Sequence, residues 1–213
     1  AAVEELAGAV AGRHGARVVQ AGTEPSAAPT ARGAFQRRNF ALAEAAAEAF
    51  LGPLDADAVR DAAASVRTPG RLEPIDRAPL TLLDAAHNAH GVAALLESLP
   101  EVLARESLAA SGRLVAVVSI LSDKDADAML AALLPHCADV VATSNSSPRA
   151  RDPHELAERM AALGAARVHV EPDPLRALET ARALAGADGT VLATGSICLV
   201  GDLLLAGAAD AGR

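Results

Sequence analysis

The sequence predicts an α/β protein: a mainly parallel six-stranded sheet with helices on both faces, preceded by a helix-rich segment. Three observations predict it. After Thr68-Pro69-Gly70, which reads as a hinge, strand-like apolar runs alternate with helical ones to the end of the chain. Those strand-like runs are almost continuously apolar, the pattern of strands buried on both faces. Ahead of the hinge, residues 1–67 are rich in alanine and mostly carry helical periodicity.

In the leading segment, Glu4–Gly12 reads as a helix closed by glycine and Ala16–Gln20 as a short strand. Ala21–Gly33 is a loop of Pro, Ser, Thr and Gly. Asn39–Leu51 and Asp55–Val66 read as helices parted by Gly52-Pro53, the second capped by Asp55. One strand and three helices close no evident core. Residues 1–67 are therefore expected to be the end of a domain whose front is missing, and the absence of an initial Met points the same way.

Residues 68–213 are expected to form an intact domain. Strands are expected at Arg71–Asp76, Leu80–Asp84, Leu114–Ile120, Asp139–Thr143, Arg167–Glu171 and Thr190–Thr194. The first two, joined by Arg77-Ala78-Pro79, suit an antiparallel hairpin. Helices are expected at Gly91–Ser107, Asp125–Cys137, Asp152–Leu163, Pro174–Leu184 and Cys198–Ala209.

Composition narrows the function. Hydrophobic residues make up 51% and charged residues 22%, which excludes disorder; with aromatics at 1%, the core must be Leu, Val, Ile and Ala. A net charge of −8 disfavours nucleic acid as a partner. Apolar runs such as Leu203–Ala209 are too short to span a membrane, and Glu4 and Glu5 rule out a signal peptide's basic start. Cys137 and Cys198 form no CxxC pair and fit a reducing cytoplasm. His14, His136, His154 and His169 share no metal-ligand spacing. The single lysine, Lys124, lies in Ser122-Asp123-Lys124-Asp125, so no Gly-Lys-Ser/Thr phosphate loop is present in this chain.

In open parallel sheets, ligands sit beyond the carboxyl ends of the strands. Four expected strands end there in polar residues: Asp84-Ala85-Ala86-His87-Asn88, Ser119 to Asp125, Thr143 to Arg149, and Thr194-Gly195-Ser196. Each also has a plainer reading. Asp84 would cap the next helix while His87 fills the turn. Arg149 would be a surface arginine, Ser196 a helix cap, and Asp123, Lys124 and Asp125 a solvated loop with Asp125 as cap.

These segments resemble the C-terminal domain of folylpolyglutamate synthase/dihydrofolate synthase, in the Mur ligase superfamily. Pro69-Gly70-Arg71-Leu72-Glu73 matches a P-G-R-x-E segment, and Asp84-Ala85-Ala86-His87-Asn88 a D-x-A-H-N motif. Ser122-Asp123-Lys124-Asp125, Ser147-Pro148-Arg149 and Thr194-Gly195-Ser196 follow in the family's order. Upstream, Phe35-Gln36-Arg37-Arg38-Asn39 resembles H-Q-x-x-N of the central ATPase domain. Phe35 stands where the family has His, and Ala89 where it has Pro.

The resemblance implies a Rossmann-like fold, with residues 1–67 as the tail of the ATPase domain and residues 68–213 as the glutamate-binding domain. It implies a cytoplasmic, monomeric ligase that joins L-glutamate to folate or dihydropteroate through an acyl phosphate, using ATP and Mg2+. Asn39, Arg71 and Asp84 would contact ATP at the adenine, phosphates and ribose respectively. Arg71 would also neutralise charge during transfer, and His87 would line the space between nucleotide and glutamate. Arg149, Ser196 and Lys124 would serve the glutamate. The phosphate loop and Mg2+ ligands belong to the family's N-terminal half, so these residues alone are expected to bind ATP weakly and to ligate nothing. A Mur-type peptide ligase of another substrate and a non-catalytic α/β binding module are the alternatives.

Overall fold

The computed structural model describes residues 2–106 and 113–211. The chain divides into two compact units: Ala1–Ala31 with Phe35–Arg67, and Thr68–Arg213 with Arg32–Ala34.

The first unit is built on α1 (Ala2–His14), α2 (Ala34–Leu51) and α3 (Ala56–Ser65). Asp55 caps α3 as expected: its Oδ1 accepts the N–H groups of Asp57 and Ala58, both at 2.9 Å. The strand expected at Ala16–Gln20 is absent, and the backbone there is irregular. A strand needs a neighbour for its ladder. Instead, Val18 and Val19 stay exposed and the Arg17 guanidinium donates to the Ala49 carbonyl at 3.3 Å. Helix α2 begins five residues ahead of the expected Asn39, so Phe35–Asn39 is helical.

The second unit holds β1 (Glu73–Arg77), β2 (Leu80–Leu83), α4 (Ala89–Arg105), β3 (Leu114–Val118), α5 (Ala126–Leu133), β4 (Asp139–Ala142), α6 (Pro153–Ala162), β5 (Val168–Val170), α7 (Pro174–Ala185), β6 (Thr190–Thr194) and α8 (Ile197–Ala211). Ser107, the expected end of α4, lies outside the described residues. Helix α5 stops short of the expected Cys137 and tightens into a 3-10 turn at Leu134–His136. Pro135 has no N–H with which to continue the α-helical ladder.

The six strands form one sheet in the order β1-β2-β6-β3-β4-β5. β1 and β2 are the antiparallel hairpin, and every other pair is parallel. This is the mainly parallel α/β sheet that the sequence predicts. Both faces are covered. Leu83, Val115, Val117, Val141, Val191 and Ala193 pack with Ala177, Leu178 and Ala181 of α7 and Leu199, Val200 and Leu203 of α8. Successive strand residues point to opposite faces. The intervening Leu82, Leu114, Ala116, Val118, Val140 and Leu192 are buried as well. Helices α4 and α5, which pack on one another, carry further buried apolar residues, among them Val92, Leu95, Met129 and Leu130. The parallel strands all end on one edge, where the polar segments gather.

Candidate active site

The tightest construction joins the Gly70–Glu73 turn to the end of β2. Asp84 is 2% exposed, and both its carboxylate oxygens accept backbone N–H groups: Oδ2 from Leu72 at 3.0 Å and Oδ1 from Ala86 at 2.8 Å. Ala85 N–H donates to the Gly70 carbonyl at 2.8 Å, and Gly70 N–H to Glu73 Oε2 at 2.7 Å. Leu72 is held at φ +45°, a strained conformation for leucine, so the Asp84 bond fixes a turn the chain would otherwise avoid. Gly70 has φ +66°, and a Cβ there would stand 2.5 Å from Val200 Cγ1. Only glycine lets this turn lie against α8. Arg71 is carried between these two anchors.

Burial pushes the Asp84 carboxyl above its ordinary range. The N–H groups of Ala86 and Leu72 and the charge of Arg71 oppose that rise. Asp84 does not cap the following helix. Asn88 caps α4 by accepting Gly91 N–H at 2.8 Å. The Asp84 side chain is instead shared between the Leu72 N–H of the turn and the Ala86 N–H two residues on.

His87 is exposed, with Nδ1 2.9 Å from the Ala85 carbonyl oxygen. A carbonyl only accepts, so Nδ1 is the donor in this contact. Gly195 N–H donates to the Ala86 carbonyl at 3.0 Å, which brings the Thr194–Ser196 turn beside the same segment. Gly195 has φ +101°, and a Cβ there would lie 2.6 Å from the Ser119 carbonyl oxygen. Ser196 is buried and accepts Cys198 N–H at 3.1 Å, so it serves as the cap of α8.

A second cluster forms at the ends of β3 and β4. Asp123 lies between two cations: Lys124 Nζ is 3.0 Å from its Oδ2, and Arg149 Nη1 donates to its Oδ1 at 3.1 Å. The Lys124 hydrogen bond leads in holding the Asp123 carboxyl below its ordinary range. Arg149 is the most exposed of the three, with 60% of its side chain open. Asp125 caps α5, accepting Ala128 N–H at 3.0 Å.

The clusters share a scaffold. Ser119 N–H donates to the Thr194 carbonyl at 3.3 Å, and Ser119 Oγ accepts from Asn145 Nδ2 at 2.8 Å. Asn145 Oδ1 accepts Ser147 N–H at 2.9 Å, and Ser147 Oγ accepts Arg149 N–H at 3.2 Å. Sequence reasoning assigns no role at the site to Asp123, Ser119 or Asn145. The polar strand ends are the available signal.

The structure thus gathers Arg71, Asp84, His87 and Ser196 at the ends of β2 and β6, and Lys124 and Arg149 at the ends of β3 and β4. Asn39 belongs to the first unit. It is exposed on α2, and its Nδ2 donates to the buried Gln36 Oε1 at 2.9 Å.

Comparison with known proteins supplies a family. The dihydrofolate synthase/folylpolyglutamate synthase of Mycobacterium tuberculosis is 40% identical over 193 residues, covering 83% of this chain and 38% of that protein. The crystal structure of Mycobacterium tuberculosis folylpolyglutamate synthase complexed with ADP and AMPPCP superposes with a TM-score of 0.74 at 38% identity, covering 84% of this chain and 41% of that one. A bifunctional folylpolyglutamate synthase/dihydrofolate synthase with Mn, AMPPNP and L-glutamate bound superposes with a TM-score of 0.69 at 27% identity, covering 84% and 40%. The chain therefore spans about two fifths of the length of these relatives. The model of the Mur ligase glutamate ligase domain matches residues 70–197, the span holding both clusters, and the chain belongs to that family.

Proposed function

We propose that this chain is the C-terminal part of an ATP-dependent ligase that adds L-glutamate to folate or dihydropteroate through an acyl phosphate. The observation that carries the reading is the anchored Arg71 turn, whose backbone is tied through Gly70 and Leu72 to the segment that leads into His87 and meets the Thr194–Ser196 turn. A guanidinium carried on a fixed turn neutralises charge that develops on a transferring phosphoryl group. His87, with Nδ1 engaged by the Ala85 carbonyl, keeps Nε2 for the space where the glutamate amine approaches the acyl phosphate. Arg149 and Lys124 present two cations to a carboxylate, and a guanidinium fork matches one in two-point fashion.

Asp84 acts chiefly as the group that sets the Arg71 turn, since both oxygens are engaged inward. Each oxygen retains a further lone pair, which is what a ribose hydroxyl would use. Ser196 contributes through the N-terminus of α8, where its hydroxyl already caps the helix. Residues 1–67 are read as the tail of the central ATPase domain, with Asn39 at the adenine.

Mg2+ supplies charge neutralisation to such reactions when bound. Among the described residues no three His, Cys, Asp or Glu side chains converge on a possible metal position. Asp84 is committed to N–H donors and Asp123 to cations, so no step is assigned to a metal held here. No helix among the described residues is long and apolar enough to cross a membrane. A monomeric, cytoplasmic ligase with small-molecule partners completes the reading.

The test is incorporation of labelled L-glutamate by the full-length protein carrying this chain, with ATP, Mg2+ and either dihydropteroate or a reduced folate. The reading expects one ADP released per glutamate joined. Glutamate-independent ATP hydrolysis, or no product from either acceptor, would refute it.

A further inference from the structure

Lys124 and Arg149 meet because two loops are joined, and one little-exposed side chain reinforces that joining. Two main-chain hydrogen bonds run between the loops after β3 and β4. Ser122 N–H donates to the Arg149 carbonyl at 2.8 Å and Arg151 N–H donates to the Ile120 carbonyl at 3.0 Å, which together make the antiparallel bridge of Leu121 with Ala150. A further tie is the Arg151 guanidinium. Its Nη2 donates to the Ser122 carbonyl at 3.2 Å and its Nη1 to Glu155 Oε1 at 2.8 Å.

Two residues away, Arg149 has 60% of its side chain exposed, whereas Arg151 has 12%. One arginine is offered outward and the other is used internally. Glu155 also receives Arg159 Nε at 3.2 Å, and Arg159 Nη1 reaches Asp127 Oδ1 in the first turn of α5 at 3.0 Å. A chain of polar contacts therefore runs from Ser122 through Arg151, Glu155 and Arg159 to Asp127. It brackets the turn that carries Asp123 and Lys124 on both sides. A rigid planar fork can hold a carbonyl and a carboxylate at once, which an ammonium cannot do with the same geometry.

We infer that Arg151 is the positioning residue of the amino-acid subsite, setting the 122–125 turn so that Lys124 and Asp123 stand correctly against Arg149. This inference rests on the proposed role of Lys124 and Arg149 in holding the glutamate carboxylate. It adds a residue that touches no substrate but acts on the KM for one substrate only.

The experiment measures steady-state kinetics of the full-length protein with Arg151→Ala, Arg151→Lys and Arg149→Ala, varying L-glutamate and ATP separately. Losing the bond that holds the turn is expected to raise the glutamate KM of Arg151→Ala about tenfold, with the ATP KM within about twofold. Arg151→Lys keeps one donor for Ser122 and is expected to recover part of the loss. If Arg151→Ala does not fold, Arg151→Lys decides: its glutamate KM should rise about threefold or more with the ATP KM unmoved.

A glutamate KM unchanged in both Arg151 variants, or both KM values rising together without rescue by lysine, would overturn the inference. Arg149→Ala separates the two levels. If it raises the glutamate KM while the Arg151 variants do not, only the inference fails. If it leaves the glutamate KM unchanged, the assignment of the subsite fails and the inference with it.

Discussion

Replacing Asp84 with alanine removes an acceptor from two buried backbone N–H groups, those of Leu72 and Ala86. A net hydrogen bond to a charged acceptor contributes about 1.5–3 kcal/mol, and an orphaned buried donor costs a similar amount. Two such bonds set an upper figure of about 6 kcal/mol. Two effects reduce it. Burial of the carboxylate is itself unfavourable, as the raised Asp84 pKa shows, and freeing Leu72 from φ +45° relieves strain. The expected net loss is about 2–4 kcal/mol. Asp84→Asn, which restores one acceptor but sets an amide donor against the other N–H, should lose less. The chain has no Trp and no Tyr, so unfolding in urea is best followed by circular dichroism. Amide exchange at Leu72 and Ala86 reports the site directly. A loss below about 0.5 kcal/mol, with both amides still protected, would refute the claim that Asp84 holds the Arg71 turn.

Gly195→Ala forces a Cβ to within 2.6 Å of the Ser119 carbonyl at φ +101°. It should destabilise the protein by about 2 kcal/mol or more in the same urea assay, and a neutral outcome would contradict the tight bend between β6 and α8. Asp139 has a fully buried side chain. Burial alone would raise its pKa, but bonds from Arg113, His169 and Arg167 outweigh that and hold it below the ordinary carboxylate value. Its stabilising contribution is therefore present above that value and lost as pH falls through the depressed pKa. The fall in Tm below about pH 4 should be shallower in Asp139→Asn than in wild type, and parallel curves would contradict this. Asp84 works with the opposite sign. Its raised pKa means its contribution declines as pH climbs through that value, a slope that Asp84→Asn should remove.

Much of this fold is legible in the chain because its signals are local. Continuous apolar runs mark strands buried on both faces, and Asp55 and Asp125 announce helix starts because a short carboxylate reaches only the next few N–H groups. The strand expected at Ala16–Gln20 fails for the complementary reason. Val18 and Val19 have strand propensity, but pairing is a long-range property that two valines cannot report. The position of β6 between β2 and β3 is equally hidden, since Val191 to Ala193 would fit beside several other apolar strands.

The site divides the same way. Arg71, Asp84 and His87 stand out as residue types in a recognisable segment. The use of Asp84 does not, because its partners are main-chain groups that every residue has. Nor does the meeting of Lys124 and Arg149 on Asp123, which depends on two loops being joined across the edge of the sheet.

The proposed role of Arg71 in the phosphoryl-transfer step can be read from one rate. The most direct measurement is the kcat for glutamate-dependent ADP release by the full-length protein, wild type against Arg71→Ala, at saturating ATP, glutamate and pteridine acceptor. A guanidinium that neutralises the transferring phosphoryl group contributes about a thousandfold or more to the rate in comparable reactions. A loss approaching that size is expected for Arg71→Ala, with the glutamate KM little changed. An Arg71→Ala protein that turns over at the wild-type rate would contradict it.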